Sequence, residues 1–317
     1  MKILVTGGAG FIGSHLVDRY LSLGHEVCII DNLVTGDKSN INPKAKFINA
    51  DITDKAIVDI ICAEKFDIVS HHAAQIDVRI AVEDPIYDAR VNILGSLNIL
   101  NACVQSKVKR IIFASSGGAV YGEIPEKKLP PGEKFQINPI SPYGVTKHAI
   151  EHYLYQYNKI YNIDYVVLRY GNVYGERQSK KGEAGVVTIF LKELLAGKSV
   201  TIYGSGEQLR DYIYVGDIVD ANMKASFAGK KFTEVSDFND NCFNIGTGKG
   251  YSVNLLYKHI SEFLGVGKPA NYAPERKGEI LKTYLKCSKA KKELGWTPKT
   301  TFKNGVIKTS EWFKENI

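Results

Sequence analysis

The chain has 317 residues, 44% of them hydrophobic, and 41 Lys and Arg against 34 Asp and Glu give it a net charge of +7. A chain of this size buries a large core in one big domain or two unequal ones. The positive charge is scattered or sits in short groups such as Lys127-Lys128 and Lys291-Lys292, with no basic face interleaved with aromatics, so nucleic acid is not an expected partner. No stretch approaches the ~20 apolar residues of a membrane span. The N-terminus runs straight into Met1-Lys2-Ile3-Leu4-Val5-Thr6 without a charged leader, which points to a cytoplasmic enzyme. The cysteines (Cys28, Cys62, Cys103, Cys242, Cys287) are far apart, odd in number and without CxxC spacing, so neither a disulfide framework nor structural zinc is expected.

Residues 2–6 read as a strand, followed by Gly7-Gly8-Ala9-Gly10-Phe11-Ile12-Gly13 and an amphipathic helix from Ser14 to Leu23. Glycines at 8, 10 and 13 match the dinucleotide spacing, and those at 7, 10 and 13 form G-x-x-G-x-x-G. Missing Cβ atoms let a pyrophosphate approach backbone N–H groups at the helix start. A second strand, Glu26 to Ile30, ends in Asp31 and Asn32, where adenosine ribose hydroxyls would lie. A carboxylate there accepts both hydroxyls and repels a 2'-phosphate, which favours NAD over NADP. A third strand over 46–50 leads into Asp51-Ile52, placed to meet an adenine edge. A helix over 54–64 and a strand over 67–70 continue the alternation, and repeated βαβ units imply a doubly wound parallel sheet.

His71-His72 invites a metal, but neighbours on a strand point apart and no further acid or thiol completes a site, so no metal is expected. Ala73-Ala74-Gln75 leaves room for a flat ring beside the strand end. A long helix over 85–106 carries Asn92, a polar residue among Val, Ile and Leu that is expected to hydrogen-bond into the sheet. The strand over 110–114 then runs into Ser115-Ser116-Gly117-Gly118-Ala119-Val120-Tyr121-Gly122, with hydroxyls at the carboxyl end of a parallel strand, where ligands bind.

Ser141-Pro142 reads as an N-cap with proline in the first turn of a helix running to about Tyr161. Tyr143 and Lys147 stand four apart on it, which stacks phenol and ammonium on one face. A phenol titrates near ~10. A unit charge at about 4 Å and an effective dielectric of ~20 contributes roughly 4 kcal/mol, enough to bring it toward neutrality. Taken alone such a pair is usually a packing contact; the glycine turn, Asp31 and the serines give it a chemical reading.

Together Thr6 to Gly13, Asp31, His72-Ala73-Ala74, Ser116 and Tyr143-x-x-x-Lys147 resemble the extended short-chain dehydrogenase/reductase family, most closely its nucleotide-sugar epimerases of the UDP-glucose 4-epimerase type. The resemblance extends through Leu168-Arg169-Tyr170-Gly171-Asn172, the segment from Gly204 to Asp217, Phe243 to Gly248, Arg276-Lys277-Gly278-Glu279 and Leu294 to Pro298. It implies a Rossmann-type domain over 1–173 and a smaller α/β nucleotide-sugar-binding domain over 174–317, with some segments returning to the main sheet. It also implies that Tyr170 and Asn92 join the NAD site and that Asn172, Val187, Tyr203, Arg210, Arg276 and Glu279 hold a UDP-sugar. A homodimer paired through the helices over 85–106 and 143–161 is implied as well.

The expected chemistry has Tyr143 taking the sugar C4 hydroxyl proton while NAD takes the C4 hydride, with Lys147 tuning Tyr143 and Ser116 orienting the hydroxyl. Related dehydratases and decarboxylases place an acid after the active hydroxyl; here Gly117, Gly118 and Ala119 follow, which favours C4 epimerisation of a UDP-hexose. Other members of the family (a UDP-glucuronate 4-epimerase, a decarboxylase, a 4,6-dehydratase) and a silent NAD-binding scaffold are the competing readings. Two departures stand out. One extra glycine separates Ser116 from Val120-Tyr121, leaving Ser115 as the alternative hydroxyl, and Tyr170-Gly171-Asn172 replaces the family's frequent Phe-Asn-Pro. Thr283 falls where the family carries a size gate, and a small side chain there would admit N-acetyl sugars.

Overall fold

The structure is a computed structural model that describes residues 1–178, 185–275 and 280–316. Its first half contains β1 (Lys2–Thr6), α1 (Phe11–Ser22), β2 (Glu26–Asp31), β3 (Lys46–Asn49), α2 (Ala56–Glu64), β4 (Ile68–His71), α3 (Val78–Glu83), α4 (Pro85–Ala89), α5 (Ser96–Gln105), β5 (Arg110–Ser116), α6 (Gly117–Val120), α7 (Pro142–Tyr161) and β6 (Tyr165–Tyr170). The second half adds β7 (Asn172–Tyr174), α8 (Val186–Leu195), β8 (Thr201–Tyr203), β9 (Leu209–Arg210), β10 (Tyr212–Tyr214), α9 (Val215–Ser226) and β11 (Cys242–Ile245). It closes with β12 (Tyr251–Ser252), α10 (Val253–Leu264), β13 (Asn271–Ala273), β14 (Lys282–Thr283), α11 (Ser288–Leu294) and α12 (Phe302–Asn316).

Seven strands form one parallel sheet in the order β11-β6-β5-β4-β1-β2-β3. Unbroken apolar runs such as Ile3-Leu4-Val5 suit strands covered on both faces. Because side chains alternate, Ile3 and Val5 pack with Leu16, Val17, Ile218 and Ala221 of α1 and α9, while Leu4 packs with Ile57, Ile61, Ile99 and Leu154 of α2, α5 and α7. Each such fully buried aliphatic contributes roughly 1.5–3 kcal/mol. β11 comes from late in the chain yet pairs with β6, Cys242 opposite Val167, so residues far beyond 174 complete the main sheet. A third core unites Phe190, Leu191, Ile202, Leu256, Ile260, Phe302 and Phe313 beside the short strand pairs of the second half.

The expected helix over 85–106 is continuous but not uniform: residues 90–95 wind as a π-helix between α4 and α5. That local widening is common where a side chain must be turned inward, and here it brings Asn92 and Gly95 inside. Gly95 lies against Ile52, where an added Cβ would come within 2.7 Å of the isoleucine Cδ1. α7 begins as its sequence predicts, with Ser141 Oγ accepting from Gly144 N at 3.2 Å and Pro142 in the first turn. It ends at Asn162 in the left-handed region, φ +56°.

Candidate active site

Chain order reverses between β1 and β4: β1, β2 and β3 spread one way, β4, β5 and β6 the other. Ligands of open parallel sheets bind in the crevice at the carboxyl ends of the strands on either side of such a switch point, and a cleft opens there, from the β1–α1 turn to Tyr143 and Lys147. Gly7 and Gly13 are demanded by geometry. Gly7 has φ +70° with Ala73 N 2.7 Å from any added Cβ, and a Cβ at Gly13 would lie 2.1 Å from Gly7 O. Gly10 meets nothing closer than 3.1 Å, and it starts α1 with no side-chain cap. The first N–H groups of α1 therefore open into the cleft, the cradle a pyrophosphate fits. Phe11 and Ile12 line its wall.

Asp31 accepts from Ala9 N at 3.0 Å and Leu33 N at 2.8 Å while still lining the cleft. It is thus both a strap for the glycine turn and an acceptor facing the ribose position. Burial raises its pKa, partly offset by those two N–H groups. Asn32 donates to Asp51 Oδ2 at 2.8 Å, and Asp51 also caps Thr53, so Asn32, Asp51 and Ile52 form a preset edge on the β2–β3 side of the cleft. Ala73, Ala74, Gln75 and Tyr170 line the cleft too.

The two histidines divide as strand alternation requires. His71 is buried between Thr6 Oγ1 at 2.7 Å and Ser96 Oγ at 2.9 Å, whereas His72 faces the cleft with Nε2 3.2 Å from Tyr170 Oη. Burial pushes both imidazoles down to about 3, so they are neutral. Among the described residues no group of acids, thiols and imidazoles is arranged to hold a metal ion.

Lys147 is 5% exposed, its Nζ donating to Ala114 O at 3.0 Å and lying 5.8 Å from the centre of the Tyr143 ring and 5.0 Å from that of Phe113. Burial lowers its pKa to about 8, opposed by the charges of Asp88 and Glu151. With a pKa of about 8, roughly nine in ten molecules carry the ammonium at neutral pH. The two serines part company. Ser115 Oγ donates to Glu151 Oε1 at 2.6 Å, and Glu151 is held in turn by Arg169 through Nε at 2.9 Å and Nη2 at 2.7 Å. Burial alone would raise the Glu151 pKa, but the guanidinium, His148 and Ser115 hold it at about 2. Ser116 is only partly buried and lies near Gly118, whereas Ser115 is the serine that lines the cleft. An added Cβ at Gly118 would lie 3.9 Å from Ser116 Oγ and 3.7 Å from Asn172 Oδ1. The extra glycine is absorbed by the four-residue α6.

Several expectations are corrected. Asn92 neither lines the cleft nor bonds into the sheet. It is buried and clamps the loop after β4, accepting from Gln75 N at 2.9 Å and donating to Gln75 O at 3.0 Å. Val187 is 1% exposed in the core of α8, α10 and α12, because it falls on the inward face of α8 with Phe190 and Leu191; its side chain has no surface to offer a ligand. Arg210 sits on β9 between β12 and β14, directly opposite Thr283 in the parallel register. Tyr203 is exposed at the end of β8, away from the cleft. Arg276 and Glu279 lie outside the described residues. Reasoning from sequence overlooked Asp88, Glu151 and Arg169; the first two carry a legible signal, each four residues from a named site residue, Asn92 or Lys147.

A glycine cradle at the switch point, an acid at the end of β2 and a buried lysine beneath a tyrosine define a Rossmann-type dinucleotide-binding protein equipped for proton transfer at a sugar or alcohol carbon. The model of the NAD dependent epimerase/dehydratase family matches residues 3–240, and this chain belongs to that family. A Methanocaldococcus jannaschii protein provisionally named UDP-glucose 4-epimerase is 48% identical over 99% of both chains. The Thermotoga maritima UDP-glucose 4-epimerase, solved with UDP-glucose, is 44% identical with a TM-score of 0.94, covering 100% of this chain and 99% of that one. The Thermus thermophilus UDP-glucose 4-epimerase, solved with NAD, is 41% identical with a TM-score of 0.91 over 100% of both.

Proposed function

We propose that this protein is an NAD-dependent epimerase that inverts C4 of a UDP-hexose, interconverting UDP-glucose and UDP-galactose through a 4-keto sugar. The observation that carries it is the buried Lys147 beneath Tyr143 in a cleft walled by the glycine turn, with no acid after Ser116 to expel water or steer decarboxylation. The N–H groups that start α1 hold the pyrophosphate of NAD, Asp31 its adenosine ribose and Lys147 its nicotinamide ribose. NAD, when bound, accepts hydride from C4 and returns it. Tyr143 removes the C4 hydroxyl proton and gives it back. Lys147 keeps that phenol acidic, and Ser116, since Ser115 is already committed to Glu151, orients the hydroxyl. Arg210 anchors the diphosphate with Asn172, so the sugar can turn over without leaving.

Thr283 pairs with Arg210, and its small side chain is the basis for expecting N-acetylated sugars to be accepted as well. Two units pairing through α4–α5 and α7 would cover Ile86, Leu94, Val145 and Ile160, all exposed. Among the described residues no helix is long and apolar enough to cross a membrane; we place the enzyme in the cytoplasm. Purified protein given UDP-galactose without added cofactor is expected to form UDP-glucose. No product, or a 4-keto-6-deoxy sugar, overturns the reading. Light scattering that reports a monomer at every concentration removes the dimer.

A further inference from the structure

Hydrogen-bonded to the turn of α7 that carries Tyr143 and Lys147 is a carboxylate with no part in the chemistry just described. Asp88, on α4, is 0% exposed. Its Oδ1 accepts from Gln75 Nε2 and from Asn92 Nδ2, both at 2.9 Å, and its Oδ2 from Thr146 Oγ1 at 2.8 Å. All three donors are neutral. They belong to three separate elements, the loop after β4 that carries Ala73 and Ala74, the π-turn before α5, and α7 one residue before Lys147. A buried carboxylate is costly unless a charge faces it.

The groups facing Lys147 come from four elements. Tyr143 and Glu151 share its helix, Phe113 and the Ala114 carbonyl come from β5, and His71 and His72 come from β4. Asp88 comes from α4. The histidines are neutral, and Glu151 is matched by the two hydrogen bonds from Arg169. Asp88 is tied by Thr146, at 2.8 Å, to the turn of α7 that carries Lys147, and its charge, like that of Glu151, opposes the effect of burial on the ammonium.

We propose that Asp88 is a positioning residue of the proton-transfer pair: its buried carboxylate is the counter-charge that keeps Lys147 an ammonium, and its three hydrogen bonds tie the cofactor loop to α7. When the pair loses one proton, the loss can fall on the phenol, leaving phenolate and ammonium, or on the ammonium, leaving phenol and amine. Only the first form can take a proton from substrate. A negative charge on the lysine side favours the first form and also makes loss of any proton harder. Without it the pair deprotonates at lower pH, but more of the deprotonated enzyme is the inert phenol and amine.

The inference rests on the proposed roles of Tyr143 and Lys147, and its test separates the two. Tyr143→Phe, Asp88→Asn, Asp88→Ser and Asp88→Glu are assayed as full-length protein with UDP-galactose across pH 5.5–9.5 (roughly the span in which the pair titrates). For Asp88→Asn and Asp88→Ser, the acid-side midpoint of kcat is expected to fall by about one pH unit and the plateau by about tenfold, with KM within about twofold. Asp88→Glu restores the midpoint. Asparagine and serine remove the same charge with different shapes, so if one fails to fold the other carries the test, and if both fail to fold while Asp88→Glu folds with a displaced midpoint, the proposal is overturned. A lower plateau with an unmoved midpoint means Asp88 only holds the fold, and overturns it too. An active Tyr143→Phe instead sinks the site assignment itself.

Discussion

The two ends of the site are built differently. At the cofactor end almost every polar side chain is fastened to another before any ligand arrives. Thr6 holds His71, Asp31 holds the glycine turn, Asn92 and Asp88 hold Gln75, and Glu151 and Arg169 lock Ser115. Thr6, Asp31, His71 and Ser115 sit on strands of four to seven residues beside two large cores, and Asp88, Asn92 and Glu151 on the helical segments of α4, the π-turn and α7. At the proposed sugar end, Arg210 rides on a strand of two residues and Asn172 is exposed at the start of a strand of three. Pre-fastened groups suit chemistry, where a misplacement of about 1 Å costs ~10²-fold in rate. Short strands outside the main sheet suit the proposed turnover of a sugar whose diphosphate stays in place.

That contrast can be broken in graded steps. The largest effect belongs to the chemistry: Tyr143→Phe is expected to lower kcat by about 10²–10⁴-fold with KM little changed, and steady-state kinetics on UDP-galactose decide it. Next comes the glycine turn. Gly13→Ala forces a Cβ to 2.1 Å from Gly7 O and is expected to cost about 1–3 kcal/mol of stability or more, seen as a lower melting temperature. Gly10→Ala should melt close to wild type yet retain NAD poorly, because its Cβ enters the cleft. If both melt alike, the distinction between frame and cradle is wrong.

At the sugar end, Arg210→Ala removes a charged hydrogen bond worth roughly 1.5–3 kcal/mol and should raise KM by about 10–100-fold with a smaller loss in kcat. An equal fall in kcat would mean that this end is as rigidly coupled to chemistry as the other. The smallest effect is a pH slope. Lys147 has a pKa of about 8 in the folded protein against 10.5 unperturbed. Between those values the unfolded chain binds the extra proton, so this group adds stability as pH rises from about 8 to 10.5 and adds nothing further below 8. Denaturation of Lys147→Met and wild type at pH 7.5 and 10 should show the variant lacking that gain. Parallel changes in both would show that Lys147 is not desolvated.

The order of the strands and longer helices through residue 161 was legible because apolar runs, Gly-rich turns and the Ser141-Pro142 cap are local signals, whereas the short α3 and α6 were not. So were the cradle glycines, Asp31 and the Tyr143/Lys147 spacing, since each depends on residues within one turn or one strand end. Hydrogen-bond partners across the fold were not. That Asn92 turns inward depends on a π-turn, and that Ser115 is committed to Glu151 depends on β5, β6 and α7 meeting. Val187 shows the same limit from the other side: a family position suggested contact, and helix packing buried the side chain. By itself the sequence determined which segments of the first half would be strands, where the glycine turn falls, and which phenol stands beside which amine, because those are matters of spacing along the chain. Only the tertiary structure decided that Asn92 turns inward and that Ser115 is taken by Glu151, because desolvation and long-range hydrogen bonds exist only once distant segments are packed together.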